Sequence, residues 1–302
     1  MLGGSGFIGA HIVQGLLSEG HQVTVLDRNN NQPSKGKVVY IQTDFNDVMA
    51  LSEALIGVDV VIHLISTSVP STSNNDPVSD VNGNLINTLR LLELMKQSNV
   101  NRLIYFSSGG TVYGHPVTSP MDEKHPTNPI CSYGIVKLAI EKYILMYAEL
   151  YGFKSTILRP SNPYGPGQKH MGVQGFIGTC ISNILDNKKL TIWGDGSVVR
   201  DYIYITDLVA LTIAVIKKST TGVYNVSTGI GYSLNEIINF VQEITSKKID
   251  IEYKTKRNFD IAEMILDNSS ASAEFNWHAR VDIKKGLACT VDDLLKIKKN
   301  QG

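Results

Sequence analysis

Only three cysteines, Cys131, Cys180 and Cys289, occur among the 302 residues. They are odd in number and widely scattered, which excludes a disulfide framework and C-x-x-C metal spacing, so no metal and a reducing, cytoplasmic setting are expected. Charge of one sign is also lacking: 28 basic residues balance 28 acidic ones. Without a run of like charges, neither a nucleic-acid face nor a polybasic membrane patch is expected. No apolar run reaches the length of a membrane span, and the N-terminus lacks the regions of a signal peptide. Repeats and low-complexity segments are missing too. What remains is a chain of 42% apolar residues, long enough to bury a substantial core in one large or two smaller domains.

Helical and strand patterns alternate in the first half. Gly9 to Glu19 and Leu85 to Gln97 read as helices; His21 to Leu26, Val58 to Leu64 and Arg102 to Phe106 read as strands. Short β-branched runs between amphipathic helices predict βαβ units, hence an α/β fold with a doubly wound parallel sheet covered on both faces. Such a sheet binds ligands at the carboxyl ends of its strands. After about Pro160 the composition shifts to Gly-, Pro- and Asn-rich loops around Asn162 to Gly175 and Trp193 to Asp201. The division expected is a nucleotide-binding domain over 1–160, joined by 200–230, and a smaller C-terminal α/β substrate lobe over 161–302. Gly3 opens a glycine cluster so early that only Met1 and Leu2 remain for the central strand, so either that strand is truncated or the true start lies upstream.

Gly3, Gly6 and Gly9, with Phe7 and Ile8 between them, form G-x-x-G-x-x-G at a turn into a helix. Missing side chains let backbone amides and the helix N-terminus approach a pyrophosphate. A plain helix start explains that turn equally well by itself. Asp27, however, ends the next apolar strand roughly twenty residues on, where a carboxylate holds ribose hydroxyls. An acid there favours NAD(H); Arg28 beside it leaves NADP(H) open. Asp44 and Phe45 are candidates to flank the adenine, against the bland reading of a loop acid beside a core aromatic.

Tyr133 and Lys137 lie one helical turn apart on one face. A nearby cation lowers a phenol's pKa, so the tyrosine can take or give the proton of a hydroxyl while hydride moves at the same carbon. Y-x-x-x-K is common by chance. Here it follows a strand ending in Ser107 and Ser108 and the loop Thr111-Val112-Tyr113-Gly114, which brings hydroxyls and the phenol to one sheet edge. His63 at a strand end reads as a core histidine, His170 as an exposed loop residue, Cys131 as no nucleophile, and Tyr143 with Tyr147 as helix packing.

With these motifs the chain resembles the extended short-chain dehydrogenases with their Rossmann sheet, and among them the UDP-hexose 4-epimerases and related nucleotide-sugar enzymes. The resemblance covers nearly the whole chain. It implies that Gly3, Gly6, Phe7, Ile8, Gly9, Asp27, Arg28, Asp44, Phe45, Leu64, Ser66, Ser107, Tyr133, Lys137 and Asn84 (less well Asn82) serve the cofactor. It assigns catalysis to Tyr133 and Lys137, with Ser108 and Thr111 as candidate hydroxyls. The family's R-x-x-N-P-x-G, R-D-Y-I-H-V-x-D and R-x-x-D patterns match Arg159 to Gly165, Arg200 to Asp207, and Arg257 with Asp260. Asn162, Arg200, Arg257 and Asp260 would then hold a nucleoside-diphosphate sugar, guanidinium groups clamping the diphosphate; two surface arginines in ion pairs are the alternative. A homodimer through the helices Leu85 to Gln97 and Tyr133 to Tyr151 is implied as well.

Departures from the pattern bear on the reaction. Gly109 stands where the epimerases carry a catalytic Ser or Thr, Gly110 and Thr111 where dehydratases carry Asp-Glu, and Ser68 where epimerases carry a lysine. On these grounds the expected activity is NAD(P)H-dependent reduction of a dTDP-4-keto-6-deoxyhexose for surface polysaccharide and O-antigen precursors. The alternative is a UDP-glucose/UDP-galactose-type or N-acetyl 4-epimerase. A reading of another class is a non-catalytic nucleotide-binding regulator, against which Tyr133 and Lys137 speak.

Overall fold

The computed structural model describes residues 1–29, 38–168, 175–255 and 261–299. Gly6, in extended conformation, starts helix α1 (Phe7–Ser18), whose buried residues Gly9, Ile12, Val13 and Leu16 form one stripe. The chain continues through β1 (Val23–Asp27), β2 (Val38–Gln42), α2 (Val48–Ala54) and β3 (Val61–His63). One helical turn, α3 (Pro77–Asp80), leads through a π-helical turn at Val81–Ile86 into α4 (Asn87–Gln97). Next come β4 (Arg102–Phe106), the short α5 (Gly109–Val112), the long α6 (Ser132–Tyr151) and β5 (Lys154–Pro160). Gly152, left-handed at φ 70°, stops α6.

The second half runs β6 (Asn162–Tyr164), α7 (Phe176–Leu185), β7 (Leu190–Trp193), β8 (Val199–Tyr204) and α8 (Ile205–Lys218). It ends with β9 (Gly222–Val226), β10 (Gly231–Ser233), α9 (Leu234–Thr245), β11 (Ile251–Lys254), β12 (Glu263–Met264), α10 (Ser269–Phe275) and α11 (Ile283–Lys299). Strands β3, β4, β5 and β9 pair in parallel in that order, and β1 pairs in parallel with β2. Leu2 joins the two halves, bridging Leu26 and His63 in parallel. Its amide donates to Ile62 O at 2.8 Å, and its carbonyl accepts from Leu64 N at 3.0 Å. Leu2 thus holds the central place of the doubly wound sheet. The amino group of Met1 lies inside the sheet and donates to Thr24 O at 2.5 Å. Beyond it, at the amino ends of the strands, a cavity of about 810 Å3 is lined by Met1, Leu16, Val23, Leu51 and Val58.

Both faces of the sheet are apolar, and period-two alternation divides them. Val25, Ile104 and Leu158 pack with Ile12 and Leu16 of α1 and Leu208 and Leu211 of α8. Their neighbours Leu26, Leu103, Tyr105 and Ile157 pack with Leu51 of α2, Leu91 and Leu92 of α4, and Ile140 and Ile144 of α6. Each fully buried Leu or Ile contributes roughly 1.5–3 kcal/mol. In the second half of the chain β10, β8 and β12 form a sheet with β6 also on β8, and β7 pairs with β11. No helix among the described residues is long and apolar enough to cross a membrane.

Candidate active site

The glycine turn sits where the sheet order reverses, because Leu2 has β1 on one side and β3 on the other. At such a switch point the carboxyl ends of the strands open a crevice. Gly3 holds φ +82°, and a Cβ on Gly9 would stand 2.2 Å from Gly3 O, so no larger residue preserves this turn. Asp27 closes β1 with its carboxylate accepting from Ser5 N and Asn29 N, both at 3.0 Å. Ser5 Oγ is buried without a hydrogen-bond partner among the described residues, a donor free for a ligand in the turn. Arg28 and Asp44 are exposed. Phe45 is turned into the core, its ring centroid 5.0 Å from that of His63.

His63 is the core histidine the sequence suggests. Thr88 Oγ1 donates to Asn84 O at 2.7 Å and so accepts from His63 Nε2 at 3.0 Å, which places a proton on Nε2. Burial, with Lys137 adding to it, lowers its pKa to about 3. The loop after β3 carries Leu64, whose amide bonds Leu2, and Ser66, whose Oγ donates to Ser68 O at 3.1 Å. Asn84 spends its amide inside the protein: Oδ1 accepts from Thr67 N, and Nδ2 donates to Thr67 Oγ1 and Asp80 Oδ1, each at 2.8 Å. It therefore shapes the loop on the cofactor side.

Tyr133 and Lys137 project from the first turns of α6. Two bonds lock that helix start: Ser132 N donates to Asn74 Oδ1 at 2.8 Å and Tyr133 N to Ser73 Oγ at 3.1 Å. Lys137 Nζ donates to Phe106 O at 2.8 Å and lies 5.6 Å from the centroid of the Tyr133 ring. Burial lowers its pKa to about 8, with Glu141 and Asp80 acting the other way. Burial pushes the Tyr133 phenol up to about 12, while hydrogen bonding to Ser108 and Ser66 draws it back. Thr111 instead turns its hydroxyl to Ser108 O at 3.5 Å. Ser108 shares a cavity wall with the phenol, and Thr111 is not among the residues that line it.

Ser107 donates its hydroxyl to Glu141, one turn past Lys137. Glu141 also takes Arg159 Nε at 3.0 Å and Nη2 at 2.5 Å. Arg159 Nη1 continues to Tyr113 Oη at 2.9 Å, and Tyr113 donates to Asn225 at 2.6 Å. This buried network ties β4, β5 and β9 to α6 and fixes the catalytic helix against the sheet. The sequence singles out the Y-x-x-x-K pair but carries no signal for Glu141 or Asp80, because burial of a lone acid depends on what packs over it.

A cavity of about 530 Å3 has Phe7, Ser108, Tyr133, Asn162, Phe176 and Arg200 in its wall. Asn162 Nδ2 donates to Asp201 O at 2.8 Å and Arg200 Nη1 to Val199 O at 2.8 Å. Asp201 is fully buried and accepts from Thr228 N and Gly229 N, both at 3.0 Å, so it braces β8 rather than facing water. Tyr202, unassigned from the sequence, lines the same cavity with a buried hydroxyl that has no partner among the described residues. Arg257, Asp260 and His170 lie outside the described residues.

The sheet, the glycine turn at its switch point and the buried Tyr–Lys pair define a dinucleotide-binding enzyme. The profile of the NAD dependent epimerase/dehydratase family matches residues 1–227, and the chain belongs to this family. It is 31% identical over 300 residues to the UDP-glucose 4-epimerase of Mycolicibacterium smegmatis, covering 96% of each chain. The UDP-glucose 4-epimerase of Thermotoga maritima, crystallised with UDP-glucose, superposes with TM-score 0.94 at 31% identity over 98% of each chain. That of Thermus thermophilus in complex with NAD gives 0.92 at 31% identity over 97% of each. NAD(H) is the cofactor of this site: the cradle at Gly3 and Gly9, the free Ser5 hydroxyl and Asp27 fit its pyrophosphate and ribose.

Proposed function

We propose that the protein interconverts the C4 epimers of a UDP-hexose, of the glucose/galactose type or its N-acetyl counterpart. The observation that carries this reading is the placement of Tyr133, Ser108, Asn162 and Arg200 in the wall of one cavity. The expectation of a 4-ketoreductase, with its dTDP-sugar substrate and O-antigen setting, rests on a hydroxyl lost at Gly109. Ser108 lines the same cavity as the phenol, and relatives of 31% identity that carry the epimerase name favour epimerisation.

NAD, when bound, supplies the hydride acceptor and donor and a positive charge near the phenol. Tyr133 takes the proton of the sugar's C4 hydroxyl and returns it to the C4 oxygen after the 4-keto sugar has turned its other face to the cofactor. Lys137, held by Phe106 O, keeps its ammonium below the phenol ring and stabilises the phenolate. Asn162 and Arg200 hold the diphosphate side of the substrate, with Arg257 and Asp260 added from the family pattern. In this reading 1–160, with the sheet strand supplied from within 200–230, binds NAD, and the remainder binds the nucleotide sugar in the cytoplasm.

A homodimer goes with it. The groove between α4 and α6, about 570 Å3, is lined by Leu89, Arg90, Tyr143 and Met146. Incubation with NAD and either UDP-glucose or UDP-N-acetylglucosamine, followed by separation of the epimers, tests the activity. Tyr133→Phe is expected to lower the rate by about 100-fold or more with NAD still bound. An unaffected rate would contradict the assignment.

A further inference from the structure

Asp80 ends α3 with only 3% of its surface exposed. Its Oδ1 accepts from Ser68 Oγ at 2.7 Å and from Asn84 Nδ2 at 2.8 Å, and its Oδ2 accepts from Ser132 Oγ at 2.7 Å. Three segments meet on this carboxylate: the loop after β3 with Ser66, the π-helical turn, and the first residue of α6, adjacent to Tyr133. No Lys or Arg forms an ion pair with it among the described residues. A buried carboxylate satisfied by three neutral donors keeps its charge local, and in low dielectric that charge acts on whatever titrates nearby.

We infer that Asp80 is a positioning residue for the acid-base pair, clamping the Ser66–Ser68 loop to the start of the catalytic helix and imposing a negative charge on Tyr133 and Lys137. Ser68 is the link on the cofactor side, at the position where the epimerases carry a lysine; here a hydroxyl tied to an acid replaces a cation. The groups that share this environment are Lys137, Tyr133, Cys131 and Glu141 on or before α6, Tyr105 on β4, and His63 on β3. The carboxylate favours the Lys137 ammonium and disfavours the Tyr133 phenolate. Both effects keep the proton on the pair until the substrate and the cofactor's positive charge arrive.

The role rests on the proposed epimerase reading, and two kinds of readout separate them. Asp80→Asn keeps the size and removes the charge. It is expected to lower kcat by about tenfold, leave KM and NAD affinity within about twofold, and move the kcat–pH profile to lower pH by about one unit. Ser132→Ala and Ser68→Ala, which cut one link each, are expected to lower kcat without moving the profile. The Cζ resonance of Tyr133 in 13C-tyrosine-labelled protein, assigned through Tyr133→Phe, needs no turnover and is expected to titrate at lower pH in Asp80→Asn. An unchanged titration, or an unchanged kcat and pH profile, overturns the inference. If Asp80→Asn does not fold, wild-type kcat in both serine variants overturns it. If the wild-type protein epimerises no UDP-sugar, the function reading falls while the resonance still decides the role of Asp80.

Discussion

Gly109 leaves no room for the side chain that the family resemblance places there: a Cβ would stand 2.3 Å from Leu266 Cδ1 and 2.9 Å from Arg159 O. The leucine end can move but the carbonyl cannot. Gly109→Ser is therefore expected to lose about 1–3 kcal/mol in urea unfolding and to gain no rate; a stable, faster enzyme would contradict this packing. In the proposed reaction Ser108, which shares a cavity wall with Tyr133, supplies the relay hydroxyl, and Ser108→Ala is expected to lower kcat by about tenfold or more with KM little changed. Arg159 and Glu141, both buried, form a second point of sensitivity. Glu141→Gln leaves a guanidinium buried without its anion and is expected to cost about 3–5 kcal/mol, read from the denaturation midpoint. Single residues were legible where a motif fixes them: the glycine turn, Asp27, Tyr133 and Lys137. Asp80 and Glu141 were not, since their meaning comes from partners 52 and 18 residues away in the chain.

Elements were read from periodicity, and β4 falls where the apolar run Arg102 to Phe106 places it. The helix before it was placed at Leu85 to Gln97, and α4 starts two residues later because a π-helical turn precedes it. Period counting has no signature for that turn, which brings Asn84 under the cofactor-side loop. The place of Leu2 between β1 and β3 follows from the glycine turn that begins at the next residue, Gly3.

At the scale of the molecule, the proposed substrate site is the cavity lined by Tyr133, Asn162 and Arg200. The same scale holds the proposed dimer. Tyr143 is 38% and Met146 40% exposed, and both border the groove between α4 and α6. Met146→Glu is expected to shift the sedimentation coefficient from dimer to monomer; a wild-type value would place the interface elsewhere. The fold class was legible because the alternation of strands and helices leaves one architecture. Choosing between reduction and epimerisation was not, since it turns on which hydroxyls reach Tyr133, a matter of loop path that spacing does not encode. The measurement that tests the central claim most directly uses UDP-glucose and UDP-N-acetylglucosamine deuterated at C4, with NAD and no added NADH. Epimerisation by internal return of the hydride predicts the C4 epimer of one of them with deuterium retained at C4. No epimer from either, with stoichiometric NADH consumption on a 4-keto nucleotide sugar in a parallel sample, would contradict the account.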